Sequence, residues 1–191
     1  MFSLCEKMIT RQDVAKGTTK QQNDHVARVD EHYSTVDRRV PAHAEKFSRF
    51  HALADKSGVA AQGRELFSKT CQSCHSVAGQ GGQVGPVLNG AGALGVESLL
   101  RNILTPNAAM EPGYRVFRVE LKDGDVLDGI RVSEDRDAII LRRPNVDDLR
   151  IPQSTVKRAA FTRTSMMPDG LLDALQPQEV SDLFAYLKTL R

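Results

Sequence analysis

The most constraining feature of this 191-residue chain is a pair of cysteines followed directly by a histidine. Cys71 and Cys74 are separated by two residues, and His75 comes immediately after the second cysteine. Three kinds of site use a Cys-x-x-Cys pair: a zinc site, a redox-active dithiol and the attachment site of a covalent haem. The chemistry of these three side chains therefore decides what the rest of the chain must provide.

The zinc and dithiol interpretations each need a context that this sequence lacks. A structural zinc ion needs four ligands, and beyond the motif only Cys5 and distant histidines remain to complete the set. A redox-active pair normally lies between a strand and the start of a helix, whereas here a predicted helix precedes the motif and a glycine-rich loop follows. Cys-x-x-Cys-His is instead the attachment signature of c-type haem, because two thiols at this spacing reach the two vinyl groups of one porphyrin. The motif favours haem, and the other two interpretations stay open.

Composition limits the class of protein. With 40% apolar residues, 26% charged residues and a formal net charge of +2, the chain has the composition of a globular protein. The charges are interspersed, which predicts a solvated surface and no nucleic-acid partner. No apolar run approaches the roughly 18 residues of a membrane span. The first residues, MFSLCEKMITRQD, lack the apolar stretch of a secretory signal, so this text alone predicts no export.

Five segments have the spacing of amphipathic helices. They cover residues 22–40, 41–57, 60–68, 96–104 and 177–190. The second begins at Pro41 and the last at Pro177, which suits the first turn of a helix. The last segment has an apolar face formed by Val180, Leu183, Phe184, Leu187 and Leu190. The helices predict a largely α-helical architecture around the cysteine motif.

The periodicity changes twice after the motif. The run GQGGQVGPVLNGAG predicts an irregular, closely packed loop, because its glycines and proline disfavour regular structure. From Tyr114 onward, short β-branched runs alternate with turn signals such as Asp-Gly and Pro-Asn. We expect four or five short antiparallel strands over residues 114–161, curled into a small barrel or a tightly twisted sheet. Because helices flank this block, it is interpreted as an insertion.

Several segments together resemble class I cytochromes c. GRELFSKTCQSCH and DLFAYLKTL are similar to the first and last helices of that family, in which a small residue near Gly63 lets the two helices cross closely. Phe67 and the Tyr186-Leu187 pair also match family positions. VGPVLNG resembles the family loop whose proline carbonyl accepts a hydrogen bond from the haem-ligating imidazole. The resemblance implies that Pro86 orients His75 and raises its basicity.

The resemblance also implies a sixth iron ligand. SMMPDGLLDALQPQEVSDLFAYL is similar to the family's Met-Pro segment and the helix that follows it. The family places its ligand directly before proline, which selects Met167 and leaves Met166 to pack. A thioether ligand favours reduced iron and suits an electron carrier. The alternatives are Met166, Met110, an N-terminal histidine or an open site; His25, His32, His43 and His51 are expected to be surface residues.

The family comparison gives a fold class and domain boundaries. It implies a mainly α, class I cytochrome c fold over residues 58–191, interrupted by an inserted small antiparallel β subdomain over 114–161 and preceded by an N-terminal helical extension over 1–57. The order GYRVFRVELKDGDVLDGI then SMMPDGLLDAL closely resembles the haem-binding C-terminal domain of large planctomycete and verrucomicrobial proteins. In that family the domain often follows dehydrogenase-like propeller and helical-repeat regions.

The expected function is electron transfer by one haem c, attached through Cys71 and Cys74, with His75 and Met167 as axial ligands. The main alternative is a haem-based gas or redox sensor with a labile or open distal site. A haem enzyme such as a peroxidase has little support, because no distal acid–base histidine can be placed next to the iron. The resemblance implies a periplasmic or otherwise exported protein, with no membrane span and with a redox partner protein, for which a dehydrogenase is the candidate.

The inserted β block has two possible roles. As an elaborated loop it would shield the haem and stabilise the fold, because surface insertions usually do no more than this. As a surface beside the exposed haem edge it would dock the electron donor or acceptor. Electron exchange with a protein partner distinguishes the two roles.

Overall fold

The computed structural model describes residues 40–108, 110 and 112–191. The chain divides into two compact units, Met1–Glu45 and Lys46–Arg191. The helix predicted over residues 22–40 lies outside the described part of the chain except for Val40. Among the described residues, no helix is both long and apolar enough to cross a membrane.

The other four predicted helices are present. They are α1 (Val40–Ala54), α2 (Ala60–Thr70), α3 (Gly95–Leu104) and α4 (Pro177–Leu187). The start of α4 is fixed by a capping box, in which the backbone N–H of Gln176 donates to Glu179 Oε2 over 2.8 Å. Pro177 follows at the first helical position, where its missing N–H costs nothing.

Helices α2 and α4 cross at Gly63. A Cβ atom at this position would lie 1.9 Å from the backbone oxygen of Asp182, so only glycine allows the two backbones to come this close. Phe67, one turn further along α2, packs against Tyr186 with ring centroids 5.3 Å apart. The expected close crossing of the first and last helices is therefore confirmed.

One hydrophobic core joins the helices. Its buried members are Phe50, Ala54, Phe67, Ala91, Leu99, Leu100, Leu172, Val180, Leu183, Phe184, Leu187 and Leu190. All five residues of the apolar face predicted for the C-terminal segment belong to it. Phe50 and Ala54 come from α1, and Lys188 Nζ donates to the carbonyl of Ala54 over 3.1 Å. The last turns of α1 thus pack with the helices that follow, although they lie within the expected extension over 1–57.

The glycine-rich loop contains more regular structure than its composition predicts. Strands β1 (Ser76–Val77) and β2 (Gln80–Gly81) form a short antiparallel hairpin with a two-residue loop. A 3₁₀ turn covers Ala91–Leu94. Ala78 and Gly79 close the hairpin with φ values of 50° and 77°. Two successive residues with positive φ form the turn type that suits a tight hairpin, and the sequence signal for it was only a single glycine.

A five-stranded antiparallel sheet follows α3. Its strands are β3 (Arg115–Leu121), β4 (Val126–Glu134), β5 (Ala138–Arg142), β6 (Leu149–Pro152) and β7 (Val156–Ser165), in the order β6-β5-β4-β3-β7. The expected β insertion is therefore present and has five strands. The last strand continues to Ser165, beyond residue 161 where the sequence suggested its end. Together with β1 and β2, the described residues contain seven strands and four α-helices, so strands take a larger share than a mainly α fold implies.

The sheet cannot be flat. Strands β6 and β7 lie at opposite ends of the strand order, yet only the 3₁₀ turn Gln153–Thr155 joins them. A flat sheet would hold these edges about 19 Å apart, whereas the connection reaches at most about 14 Å. The sheet therefore curls and encloses its own core of five buried residues, Phe117, Val119, Ile139, Leu141 and Ile151. This second core is separate from the helical one.

Candidate functional site

The two cysteines and the histidine lie in one tight turn at the end of α2. The backbone N–H of Cys71 donates to the carbonyl of Phe67 over 2.8 Å and closes the last helical turn. The N–H groups of Cys74 and His75 then donate to the carbonyl of Cys71 over 3.1 and 2.9 Å. Both thiols are free and partly buried. Two cysteines and an imidazole are thereby held on one compact piece of backbone.

The glycine-rich loop is bound to this turn by its backbone. Gly82 N–H donates to the carbonyl of Gln72 over 2.8 Å, and the N–H groups of Val84 and Gly85 both donate to the carbonyl of Cys74, over 3.1 and 2.8 Å. Val84 is buried, with 3% of its surface exposed. The loop that the sequence placed next to the motif therefore forms a fixed wall beside His75.

The imidazole of His75 is oriented by this wall. Its Nδ1 lies 2.8 Å from the carbonyl oxygen of Pro86. Because a carbonyl oxygen only accepts, Nδ1 carries the hydrogen and the neutral ring keeps its lone pair on Nε2. A Cβ atom on Gly85 would lie 2.5 Å from Cε1 and 2.9 Å from Nε2 of the same ring, so glycine is needed here for the loop to pack against the imidazole. The ring has one fixed tautomer and a free Nε2 lone pair.

The environment of the thiols bears on the two competing interpretations. Burial raises the pKa of the Cys71 thiol, with a smaller contribution from nearby Cys74, and the hydroxyl of Thr70 only partly opposes this shift. A reactive dithiol needs a lowered thiol pKa, so the shift counts against disulfide exchange. Within residues 40–108, 110 and 112–191, no group of three or more potential ligands forms a metal cluster around these cysteines. The described surroundings lack what a structural zinc site needs.

The candidate methionines lie in two places. Met166 and Met167 follow β7 directly, and the backbone N–H of Met167 donates to Ser165 Oγ over 3.0 Å. Met110 lies between α3 and β3. All three side chains are partly buried, so burial alone does not separate them. His75 is hydrogen-bonded to Pro86, whereas the backbone of Met167 is hydrogen-bonded to Ser165.

The histidines of the N-terminal region have ordinary surroundings where they are described. His51 contacts Asp55, the residue directly after α1, with Nδ1 and Oδ2 3.2 Å apart. Its ring centroid lies 5.8 Å from that of Phe47. His43 is exposed on α1. His25 and His32 lie outside the described residues. The two that are described have the surface character that the sequence predicts.

Two residues next to these sites were not identified from the sequence. Gly85 entered the sequence analysis only as part of the VGPVLNG resemblance, with no role assigned, although its backbone packs against the ring of His75. Asn107, in the turn after α3, contacts both ends of the methionine segment: Ser165 N–H donates to its Oδ1 and its Nδ2 donates to Asp169 Oδ2. No sequence signal indicated this contact, because 58 residues separate Asn107 from Ser165.

The donor set fits a covalently attached haem. Two free thiols project from one turn, as thioether bonds to a single porphyrin require. The next residue supplies an imidazole whose Nδ1 is held by a backbone carbonyl and whose Nε2 is available to a metal. The thioether of Met167 is a suitable soft ligand on a partly buried segment.

The sequence matches a family model. The model described as "Cytochrome c" matches residues 60–191, which include α2, the cysteine motif, the whole five-stranded sheet and α4. No curated protein matches the chain. Because the family match covers more than half of the sequence, the chain belongs to the cytochrome c family.

Proposed function

We propose that this protein is a monohaem electron carrier that holds haem c through Cys71 and Cys74 and ligates its iron with His75 and Met167. When bound, the haem supplies an iron that alternates between the ferrous and ferric states. Membership of the cytochrome c family supports haem-based electron transfer in general. The single observation that carries the proposal is the contact of 2.8 Å between His75 Nδ1 and the carbonyl of Pro86, next to two free thiols.

His75 acts in this proposal as an oriented ligand with its proton fixed. The Pro86 carbonyl accepts from Nδ1, which increases the electron density at Nε2 and stabilises the bond to the metal. The backbone at Gly85 restricts rotation of the ring. No proton has to move at His75 when an electron is gained or lost, which keeps the reorganisation at this ligand small.

Met167 is the proposed sixth ligand. Its position directly before Pro168 matches the family segment, and its backbone N–H is held by Ser165. A thioether stabilises the reduced metal, which raises the reduction potential into a range useful for accepting electrons. Met166 and Met110 remain the alternatives that the experiment must separate.

We also propose a periplasmic or otherwise exported location and a redox partner protein, with a dehydrogenase as the candidate. Cytochrome c family membership supports an exported location. A cleft of about 1050 Å³ lies between the cysteine turn and the β5–β6 hairpin and is lined by Gln72, Ser73 and residues 142, 143 and 145–148. A protein that approaches the haem-attachment turn would contact this hairpin, so the cleft supports docking there.

The first experiment is optical. The purified holoprotein should keep its haem on the chain after denaturation and solvent extraction, because thioether bonds survive both. The ferric and ferrous forms should be low-spin, and carbon monoxide should not change the ferrous spectrum. Extraction of the haem would refute covalent attachment. A ferrous form that binds the gas readily would favour the sensor function.

The second experiment identifies the sulfur ligand. Met167→Ala should produce a high-spin ferrous form that binds carbon monoxide, because it removes the sixth ligand. Met166→Ala is the matched control, since it deletes the same side chain at the adjacent position, and it should leave the spectrum of the parent protein unchanged. If Met166→Ala opens the iron and Met167→Ala does not, the ligand assignment is wrong.

A further inference from the structure

The side chain of Asn107 contacts the two ends of the segment that carries Met166 and Met167. The backbone N–H of Ser165 donates to Asn107 Oδ1 over 2.7 Å, and Asn107 Nδ2 donates to Asp169 Oδ2 over 3.2 Å. The orientation of the amide is unambiguous, because a backbone N–H can only donate and an ionised carboxylate can only accept. One side chain thus joins residues that lie before and after the methionine pair.

Another hydrogen bond holds the methionine segment between the two residues that Asn107 contacts. Ser165 is the last residue of β7 and pairs with Arg115 on β3, and its Oγ accepts the backbone N–H of Met167 over 3.0 Å. The pairing of β7 with β3 shifts register just before this point, between the partners of Arg115 and Phe117. The regular ladder therefore ends where the methionine segment begins, and Asn107 supplies the next hydrogen-bond partner for Ser165.

We propose that Asn107 is a positioning residue that holds residues 165–169 in the conformation in which Met167 stays on the iron. This inference rests on the proposed His75/Met167 ligation. The amide fixes both ends of a five-residue segment, so the loop loses little additional conformational freedom when the sulfur binds. Without these two hydrogen bonds, an external ligand competes more easily with Met167.

Displacement of Met167 by imidazole in the ferric holoprotein measures this role. Removing two hydrogen bonds in Asn107→Ala should tighten the apparent affinity for imidazole by about tenfold. Asn102→Ala is the control, because it deletes the same side chain from an exposed position on α3. Its imidazole affinity should equal that of the parent protein. Equal affinities for the Asn107→Ala and parent proteins would overturn the proposal.

A donor–acceptor exchange tests the same contact without deleting a side chain. Asn107→Asp keeps the acceptor for Ser165 N–H but places a carboxylate against that of Asp169, so imidazole should bind more tightly than in the parent. Adding Asp169→Asn returns a donor that faces the new carboxylate and should restore the parent affinity. Additive effects of the two substitutions would contradict the direct contact. This pair also keeps the proposal testable if Asn107→Ala fails to fold.

Two measurements separate a failure of this inference from a failure of the proposed function. Thermal unfolding of each variant shows whether the fold as a whole is weakened. If Asn107 has a purely structural role, Asn107→Ala lowers the melting temperature but leaves the imidazole affinity unchanged at temperatures far below the melting temperature. Met167→Ala gives the imidazole affinity of an iron from which the proposed sulfur ligand has been removed. If the parent binds imidazole as readily as Met167→Ala, methionine ligation itself is wrong. If the parent resists and Asn107→Ala resists equally, only the positioning role is wrong.

Discussion

The imidazole of His75 is held by backbone groups and not by other side chains. The carbonyl oxygen of Pro86 lies 2.8 Å from Nδ1. The backbone of Gly85 packs against the imidazole ring, and the close approach is possible because glycine has no Cβ atom. Backbone groups cannot change rotamer, so the orientation of the ligand depends on the position of the loop. That loop is in turn hydrogen-bonded to the cysteine turn through Cys74. The His75 imidazole and the two cysteines are therefore held in a fixed relative position by backbone hydrogen bonds.

The substitution Gly85→Ala tests this dependence. Its Cβ would lie 2.5 Å from His75 Cε1, so the ring or the loop must shift. We expect covalent haem with a partly high-spin ferric spectrum and a loss of about 1–3 kcal/mol in the free energy of unfolding, the usual cost of overpacking. Gly113→Ala is the control, because nothing lies within 4 Å of the added atom there. An unperturbed ferric spectrum in Gly85→Ala would show that the contact does not orient the ligand.

Among the elements, strands β3 and β4 are joined by a bidentate ion pair. Arg118 Nε and Nη2 donate to the two carboxylate oxygens of Asp128 over 2.8 and 2.7 Å, directly across the strand pair. The Arg118 guanidinium holds the pKa of Asp128 below its ordinary value. Because the folded pKa is lowered, the pair stabilises the sheet above the unfolded pKa of about 3.9 and loses this contribution as the pH falls through the folded pKa.

The pH dependence of this pair is measurable with Asp128→Asn. At pH 7 the variant should lose less than about 1 kcal/mol in the free energy of unfolding, because the pair is largely exposed. The difference from the parent should begin to shrink as the pH falls below about 4 and vanish below the lowered pKa of Asp128, where the parent carboxylate is neutral in the folded state as well. Asp125→Asn, an exposed change of the same charge at the residue directly before β4, serves as the control. A difference that stays constant down to pH 2 would mean that the ion pair is not its source.

At the scale of the whole molecule, a hydrogen bond joins the curled sheet to the glycine-rich loop beside the cysteine turn. Arg142, at the end of β5, donates through Nη1 to Gln83 Oε1 over 3.0 Å, while its Nε and Nη2 are engaged by Asp148. The β5–β6 hairpin thus stands as one wall of the cleft beside Gln72 and Ser73. The inserted β block therefore borders the cysteine turn across an open cleft.

Shortening the hairpin separates docking from shielding. Replacing residues 143–147 with Asn-Gly keeps Arg142 and Asp148 as facing residues and closes the hairpin with a favourable two-residue turn. We expect an unchanged spectrum, an unchanged rate of oxidation by ferricyanide and slower electron transfer to a second soluble cytochrome c. The small oxidant is the control for access to the haem edge. Faster reaction with both acceptors would indicate a shield, and unchanged rates with both would exclude the hairpin from docking.

Local patterns predicted the parts of this fold that depend on local physics. The helical periodicity located α2, α3 and α4 within a few residues, and all five apolar residues expected on the last helix are buried, because a 3.6-residue period directly places a stripe of side chains. The β block was identified by its alternation and turn residues. The motif named Cys71, Cys74 and His75, and the resemblance to a known loop named Pro86, whose carbonyl does contact the imidazole.

Contacts between distant segments could not be read in this way. The strand order places β7 beside β3, and the sequence specifies strands without specifying which edges meet. Gly85 matched the family loop in sequence, but its close approach to the His75 ring is visible only in the structure. Asn107 is one more polar residue in a turn, and its link to Ser165 and Asp169 exists only because the sheet returns the chain to the end of α3.

The sequence by itself determined which side chains meet in the cysteine turn, since Cys71, Cys74 and His75 lie within five residues of one another. It also determined that helices would flank a strand-rich insertion, since hydrophobic period is a local property. The tertiary structure decided how the insertion relates to the methionine segment: β7 ends at Ser165, immediately before Met166, and Asn107 fastens that junction. Such a junction is set by packing between segments some 58 residues apart, which no local pattern encodes.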